Sequence, residues 1–578
     1  MKMISKVRHD YEGVRLLLLD PLTKVFYDED PAEAPEEEEI LSFHDECVSF
    51  QVAYTFEGYR VSQRWAQSIR WTSVILESEL KPWIRVRRVC NVPCQYPAHD
   101  HADDNYLRTA PGLYPDRLEE LEDSMAVFQA HQWKSLWFDL EIPEEVPAGV
   151  YPLKIIFFDI EDQKEFCSLE TQIRILEPSL PEKRLLRTEW FHADCLADYY
   201  HVPVFSEEHW AIMEHFIRAA AKRGINMILT PQFTPPLDTA VGRERTAVQL
   251  VDVKVRGGIY EFGFDKLERW VHMCSDCGIR YFEMSHLFSQ WGAVAAPAIF
   301  GETEEGKQEL FGWNTPATGK EYIGLLHQYL PQLRGVLKKL GIEDRVYFHI
   351  SDEPKLEQIT SYRAAFEAVR DVMEGCNFIE ALSDYEFYQS GLVRRPICAV
   401  SAVQPFLEKN TKGLWTYYCT AQAVDVSNRF IAMPLSRTRI YGVQMYKFGI
   451  EGSLHWGYNF YNGVDSMCRI DPYQVTDACG AYPAGDPFIV YPGSDGYPEE
   501  SIRMMVLDEA MNDVRALEYL ETLTGREKVL AMIDEDLDEP LTFDRYPSWP
   551  QDKQYLLKLR RKVNDAICRA LEGRGGNE

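Results

Sequence analysis

The chain has no excess of basic charge, no long apolar run and no disulfide-like cysteine spacing, and each absence removes a class of function. Lys and Arg number 61 against 91 Asp and Glu, a net charge of −30 at pH 7. That balance repels polyanions and excludes nucleic acid as an expected partner. No stretch approaches the roughly 18 apolar residues of a membrane span, and Leu16 to Leu19 is too short for a secretory h-region. The 13 cysteines are odd in number and scattered, so a reducing cytoplasm is the expected setting. Cys90, Cys94, His99 and His101 crowd one short stretch, but their spacing matches no standard zinc module. Cys274 and Cys277 form a C-x-x-C on a predicted helix without a second pair, which suits buried helix cysteines. No metal ligand set and no cofactor is therefore assigned.

What the chain does have is aromatic wealth, with 31 Tyr, 29 Phe and 13 Trp, inside a composition that is 46% hydrophobic. A globular protein of several domains follows from 578 residues of this kind. Residues 1–180 alternate apolar and polar in short runs between Pro/Gly turns. Ser42–Thr55, Thr72–Ser78, Trp133–Glu141 and Leu153–Asp159 are examples, and they predict a β-sandwich region of one or two modules. Pro31–Glu39 reads as an acidic loop and Leu176–Lys183 as a linker.

From residue 184 strand and helix patterns alternate. Eight apolar strands are predicted, starting at Leu186, Ile225, Ile279, Arg345, Asn377, Ile397, Gly413 and Gly452. Helical stretches between them carry period-3.6 stripes, such as Trp210, Met213, Phe216, Ile217 and Ala220 behind an N-cap at Ser206. The expected architecture is α/β plus all-β: a (β/α)8 TIM-type barrel at 181–525 behind the sandwich, with a helical extension at 526–578.

In a parallel barrel the chemistry gathers where strands end. The fourth strand runs Arg345-Val-Tyr-Phe-His-Ile-Ser and ends in Asp352-Glu353-Pro354. Two adjacent carboxylates stopped by a proline are a catalytic candidate, and a helix N-cap pair is the plainer alternative. The other strand ends offer Trp190, His192, Asp194, His286, Trp291, Asp384, Tyr385, Tyr417, Trp456 and Asn459 as substrate-binding candidates. Aromatic faces and polar edges together suit a sugar. Each residue singly also has a bland reading, as core aromatic, capped histidine or helix cap.

Retaining glycosidases usually oppose two carboxyls about 5 Å apart across the anomeric carbon, and adjacent residues are poorly placed for that. They suit the substrate-assisted variant, in which the sugar's 2-acetamido oxygen attacks its own anomeric carbon. Asp352 then orients the acetamido N–H, and Glu353 acts as general acid and then general base.

His349-Ile-Ser-Asp-Glu-Pro354 resembles the Asp-Glu motif of glycoside hydrolase family 123 and the wider domain-of-unknown-function 4091 group. Trp415–Cys419, Gly452–Asn459 and Asp486–Gly493 running into Ser501-Ile-Arg503 are similar to that group as well. The segment Val506–Arg515 departs from the family's usual sequence after that arginine. The resemblance covers residues 184–525 and implies an exo-acting β-N-acetylgalactosaminidase, with Glu353 as general acid/base and Asp352 on the acetamido group. The implied partner is a glycan or glycoconjugate ending in β-N-acetylhexosamine. Two other readings stand beside it. One is a glycosidase for plain sugars, with Glu189, Glu283 or Asp384 as nucleophile; the other is a glycan-binding protein without turnover.

Overall fold

A computed structural model describes residues 11–31, 39–59, 69–537 and 540–575. Most of the expected acidic loop at Pro31–Glu39 lies outside these. The N-terminal part holds two five-stranded sheets. One is antiparallel throughout, in the order Arg15–Leu19, Cys47–Thr55, Lys134–Glu141, Ile84–Cys94, Gly112–Glu120. The other orders Glu39–His44, Lys164–Ser179, Gly149–Asp159, Ile69–Glu77 and Met125–Gln129, with its first pair parallel. Their inner faces share one core in which Phe50 and Phe138 of the first sheet meet Phe128, Phe157 and Phe166 of the second. Phe50 and Phe138 stack at 4.7 Å. The single strand expected over 42–55 is two, because Asp45 takes a left-handed turn (φ 59°) and sends the chain from one sheet to the other.

The C-terminal part is built on one sheet of nine parallel strands. Its core strands are Leu186–Glu189, Met227–Thr230, Tyr281–Met284, Val346–Phe348, Pro396–Ala399, Trp415–Tyr417 and Gly452–His455. The two edge strands, Asn377–Phe378 and Glu380–Ala381, are separated by Ile379 alone. The first pairs with the fourth strand of the barrel and the second with the sixth, so the sheet curls back on itself into a nearly closed barrel. Apart from the two edge strands, a helix lies between each successive pair of strands, from Glu207–Lys222 to Leu435–Phe448. Ser206 caps the former, its hydroxyl accepting from the His209 amide, as its sequence position requires. Two hairpins, Asp252–Gly263 and Ile299–Phe311, join in a four-stranded sheet outside the barrel.

Ile502–Thr524 packs against Leu435–Phe448 so closely that a β-carbon on Gly442 would stand 2.1 Å from the Ala510 carbonyl oxygen. The sandwich is tied to this end by fully buried ion pairs. Asp116 takes a fork from Arg503 at 2.6 and 2.8 Å and accepts from the Tyr491 hydroxyl at 2.5 Å. Arg87 of the sandwich spans Asp139 and Glu500, and Glu500 also receives Arg223 at 2.6 Å. No helix of the described residues is long and apolar enough to cross a membrane.

Candidate active site

The fourth barrel strand ends at Phe348, and its exit is held by hydrogen bonds rather than by a helix. The amides of Ile350 and Ser351 donate to Glu380 Oε2 at 3.2 and 3.1 Å. Ser351 Oγ donates to the Ser289 carbonyl at 2.8 Å and accepts the amides of Gly292 and Ala293. The Trp291 amide donates to the Asp352 carbonyl at 2.9 Å. Glu353 then adopts φ 44°, a left-handed conformation that a side-chain-bearing residue takes at a cost of about 1–2 kcal/mol. That turn breaks the strand alternation which otherwise sends adjacent side chains to opposite faces. The helices that follow begin at Leu356 and Ile359 and take Lys355 and Gln358 as N-caps, so Asp352 and Glu353 cap neither.

Tyr417 at the end of the seventh strand donates its hydroxyl to Glu353 Oε1, and the same hydroxyl lies 3.1 Å from Ser383 Oγ. Burial pushes the Asp352 carboxyl well above the ordinary range, and the charges of Glu353, Asp238 and Glu380 push it further. Asp238, on the loop after the second strand, is itself left-handed at φ 50°. Burial and the charges of Asp465, Glu353 and Asp194 raise its carboxyl to about 7 against the pull of Arg245, and its Oδ2 has no hydrogen-bond partner. Asp486 is likewise raised to about 7, chiefly by burial. Its Oδ2 accepts from Trp456 Nε1 at 3.1 Å, while Oδ1 is bare. The Cys419 thiol is pushed well up by burial, and further by the charges of Asp486, Glu353 and Asp352. Trp291, left-handed and 49% exposed, is tied to Asp352 through its backbone amide.

The other expected site residues divide sharply. Tyr417, Trp291 and Trp456 stand at the mouth. His286 lies beneath it, stacked on His349 at 4.3 Å. Trp190 is buried and donates to Glu283 Oε1 at 2.8 Å. Both nitrogens of His192 are taken, Nε2 by the Trp456 carbonyl and Nδ1 by Arg245, and burial holds its pKa down at about 4. Asp194 is forked to the same arginine at 2.9 Å. Asn459 staples the His192 backbone through both ends of its amide. These three brace the barrel's first exit. Asp384 caps the helix Tyr385–Gln389, accepting the amides of Glu386 and Phe387, and Tyr385 packs on Phe406. In the cysteine–histidine stretch, His99 is bound to Tyr96 and the Thr420 carbonyl, and Cys90 lies against Glu119.

Sequence reasoning missed Asp238 and Glu380 outright, and Asp486 as a site residue. Glu380 carried a signal, a lone acid inside an apolar strand. Asp238 carried none.

The model of the glycoside hydrolase 123 catalytic domain matches residues 190–520. This span is more than half of the chain, and the protein belongs to that family. Among solved structures, a family 123 glycoside hydrolase from Clostridium perfringens, described for glycolipid glycan hydrolysis, superposes with a TM-score of 0.75 at 14% identity, covering 98% of this chain and all of that one. The fold is thus shared from end to end. A Ruminococcus gnavus β-glucuronidase covers 86% of this chain and 69% of its own at 9% identity, but its TM-score of 0.29 is too low to inform on this protein. No curated protein matches. The chain is therefore a glycoside hydrolase of family 123, acting on carbohydrate.

Proposed function

We propose that this hydrolase is a retaining exo-β-N-acetylhexosaminidase, and specifically a β-N-acetylgalactosaminidase, working by substrate-assisted catalysis at Asp352 and Glu353. The observation that carries this reading is the occupation of every other strand-end carboxylate named as a nucleophile. Glu189 is locked between Arg187 and Arg429. Glu283 is filled by Thr188, Trp190 and His349. Asp384 is a helix cap. None of them is free to attack an anomeric carbon, whereas an acetamido sugar brings its own nucleophile.

In the proposed sequence, the acetamido oxygen attacks the anomeric carbon while Glu353 gives its proton to the departing glycosidic oxygen. The N–H of the resulting oxazolinium ion is held by Asp352. Water then opens the ring from the face the leaving group vacated, Glu353 takes the water's proton, and the product keeps the β configuration. The Tyr417 hydroxyl fixes Glu353 toward the leaving group, and Trp291 and Trp456 supply faces for pyranose C–H groups. The galactosamine preference rests on the family resemblance. A cytoplasmic setting is proposed with it, because all 13 cysteines are free thiols.

Asp238 carries the second reading. Its unpartnered Oδ2 near Glu353 is the described carboxylate best able to act as nucleophile on a plain sugar. The two part on one assay: release of p-nitrophenol from the β-N-acetylgalactosaminide, the β-N-acetylglucosaminide and the β-galactoside, by wild type, Asp352→Asn and Glu353→Gln. Turnover of acetamido sugars only, lost in both variants, is the expected result. Equal turnover of the plain galactoside sinks the acetamido mechanism.

A further inference from the structure

Below the acid pair, His286, His349 and Glu380 bring ligand-type atoms within 4.8 Å of one another. All three are buried to 2% exposure or less. The atoms of each residue are divided in a consistent way. Glu380 Oε2 receives three donors, the Ile350 and Ser351 amides and the Tyr362 hydroxyl, while Oε1 receives none. His349 Nε2 is 2.7 Å from Glu283 Oε1, while Nδ1 is bare and faces Glu380 Oε1 at 3.5 Å, the outer limit of hydrogen-bond reach. His286 has no partner on either nitrogen. Buried polar atoms are almost always satisfied in folded proteins, and several bare ones gathered this closely call for an occupant.

We propose that His286, His349 through Nδ1 and Glu380 through Oε1 bind one divalent transition-metal cation of the zinc type. Two imidazoles and a carboxylate are a donor set such ions favour, whereas magnesium and calcium demand mostly oxygen. The surroundings match what a metal-binding histidine needs. Glu283 accepts from Nε2–H of His349, which leaves the Nδ1 lone pair pointing at the cation, and Thr188 and Trp190 hold Glu283 in place. Tetrahedral ligands at 2.0–2.1 Å from zinc stand about 3.4 Å apart. Reaching that spacing requires the His286 ring to turn out of its stack on His349, and no hydrogen bond opposes the turn. A cation here is held by His349 and Glu380, two groups whose charges act on Asp352. On the proposed mechanism, on which this consequence alone depends, it keeps Asp352 ionised against the acidic neighbours that crowd it.

The competing occupant of the space is a proton on His349, shared between Glu283 and Glu380, with water over His286. The test uses the full chain without an affinity tag, stripped with a chelator, reloaded with zinc or cobalt and dialysed, with metal counted by mass spectrometry. About one zinc per chain is expected, together with visible cobalt bands typical of nitrogen and oxygen ligands. His286→Ala and Glu380→Gln should each lower retained zinc at least about tenfold, and Glu283→Gln should weaken affinity about 10–100-fold. His99→Ala with His101→Ala should leave zinc unchanged, since it removes only the unrelated cluster. If the core variants do not fold by circular dichroism, the wild-type cobalt spectrum decides alone. Wild type that retains no zinc and shows no cobalt bands overturns the proposal, as does zinc undiminished in folded His286→Ala and Glu380→Gln. Metal content is read without any sugar, so its outcome is independent of the hexosaminidase assay.

Discussion

The junction between sandwich and barrel and the barrel mouth both bury charge, and they treat it in opposite ways. At the junction Asp116 is forked by Arg503, and Glu500 is shared by Arg87 and Arg223. Behind it Arg439 bridges Glu509 and Asp513 at 2.7 and 2.8 Å. At the mouth the carboxylates of Asp352, Glu353, Asp238 and Asp486 gather with few cations, and two of them keep a bare oxygen. Three residues there, Glu353, Asp238 and Trp291, are left-handed without being glycine. Paired charge fixes how two parts of a chain sit together, since breaking a buried pair is strongly unfavourable. Unpaired charge and strained backbone mark where energy is held for a ligand.

Four changes test this contrast. Glu353→Gln should lower kcat/KM on poor leaving groups by about 10²–10⁴-fold while leaving the melting temperature unchanged or higher. A thermal shift assay beside the kinetics checks both halves. Arg503→Ala strands the Asp116 carboxylate in the core and should cost about 3–5 kcal/mol of stability, read from urea unfolding. A loss under 1 kcal/mol would mean that the junction is not held by its ion pairs.

Asp238 gives a pH signature. Its folded pKa of about 7 lies above the ordinary aspartate value of 3.8. The native state therefore binds the extra proton, and stability falls as pH rises from about 4 to about 7. Asp238→Asn should remove that slope and gain about 1–3 kcal/mol at pH 8, with little difference at pH 4. Parallel unfolding curves at the two pH values decide it. Tyr417→Phe is the mildest change. Deleting one hydrogen bond to a charged group costs about 1.5 kcal/mol, so kcat should drop near tenfold with KM little changed.

Much of the contrast was legible in the sequence. The fourth strand declared itself because its signal is local: an apolar run, two acids and a proline. The barrel strands and the Ser206 cap were readable for the same reason. The bracing of His192 and Asp194 was not, because it depends on Arg245, which comes from a distant loop, and the Asn459 staple joins residues far apart in sequence. The pairing of Glu380 with the fourth strand was hidden too, since sheet closure is a matter of long-range register. The hairpin at Asp252–Gly263 was readable and passed over: Gly257-Gly258 between alternating Val253, Val255, Tyr260 and Phe262 is a strong hairpin signal.

The split edge of the barrel sheet has a dynamic consequence. Asn377–Phe378 and Glu380–Ala381, on either side of Ile379, are the shortest strands in the sheet, and short strands open early in local unfolding. Amides of Asn377–Ala381 should exchange with deuterium ahead of the other barrel strands. Glu380, which holds the exit of the fourth strand, sits on that seam. The acid pair is thus joined to a short-stranded seam of the barrel, and a ligand that rigidifies the mouth should slow exchange there, at a distance from itself.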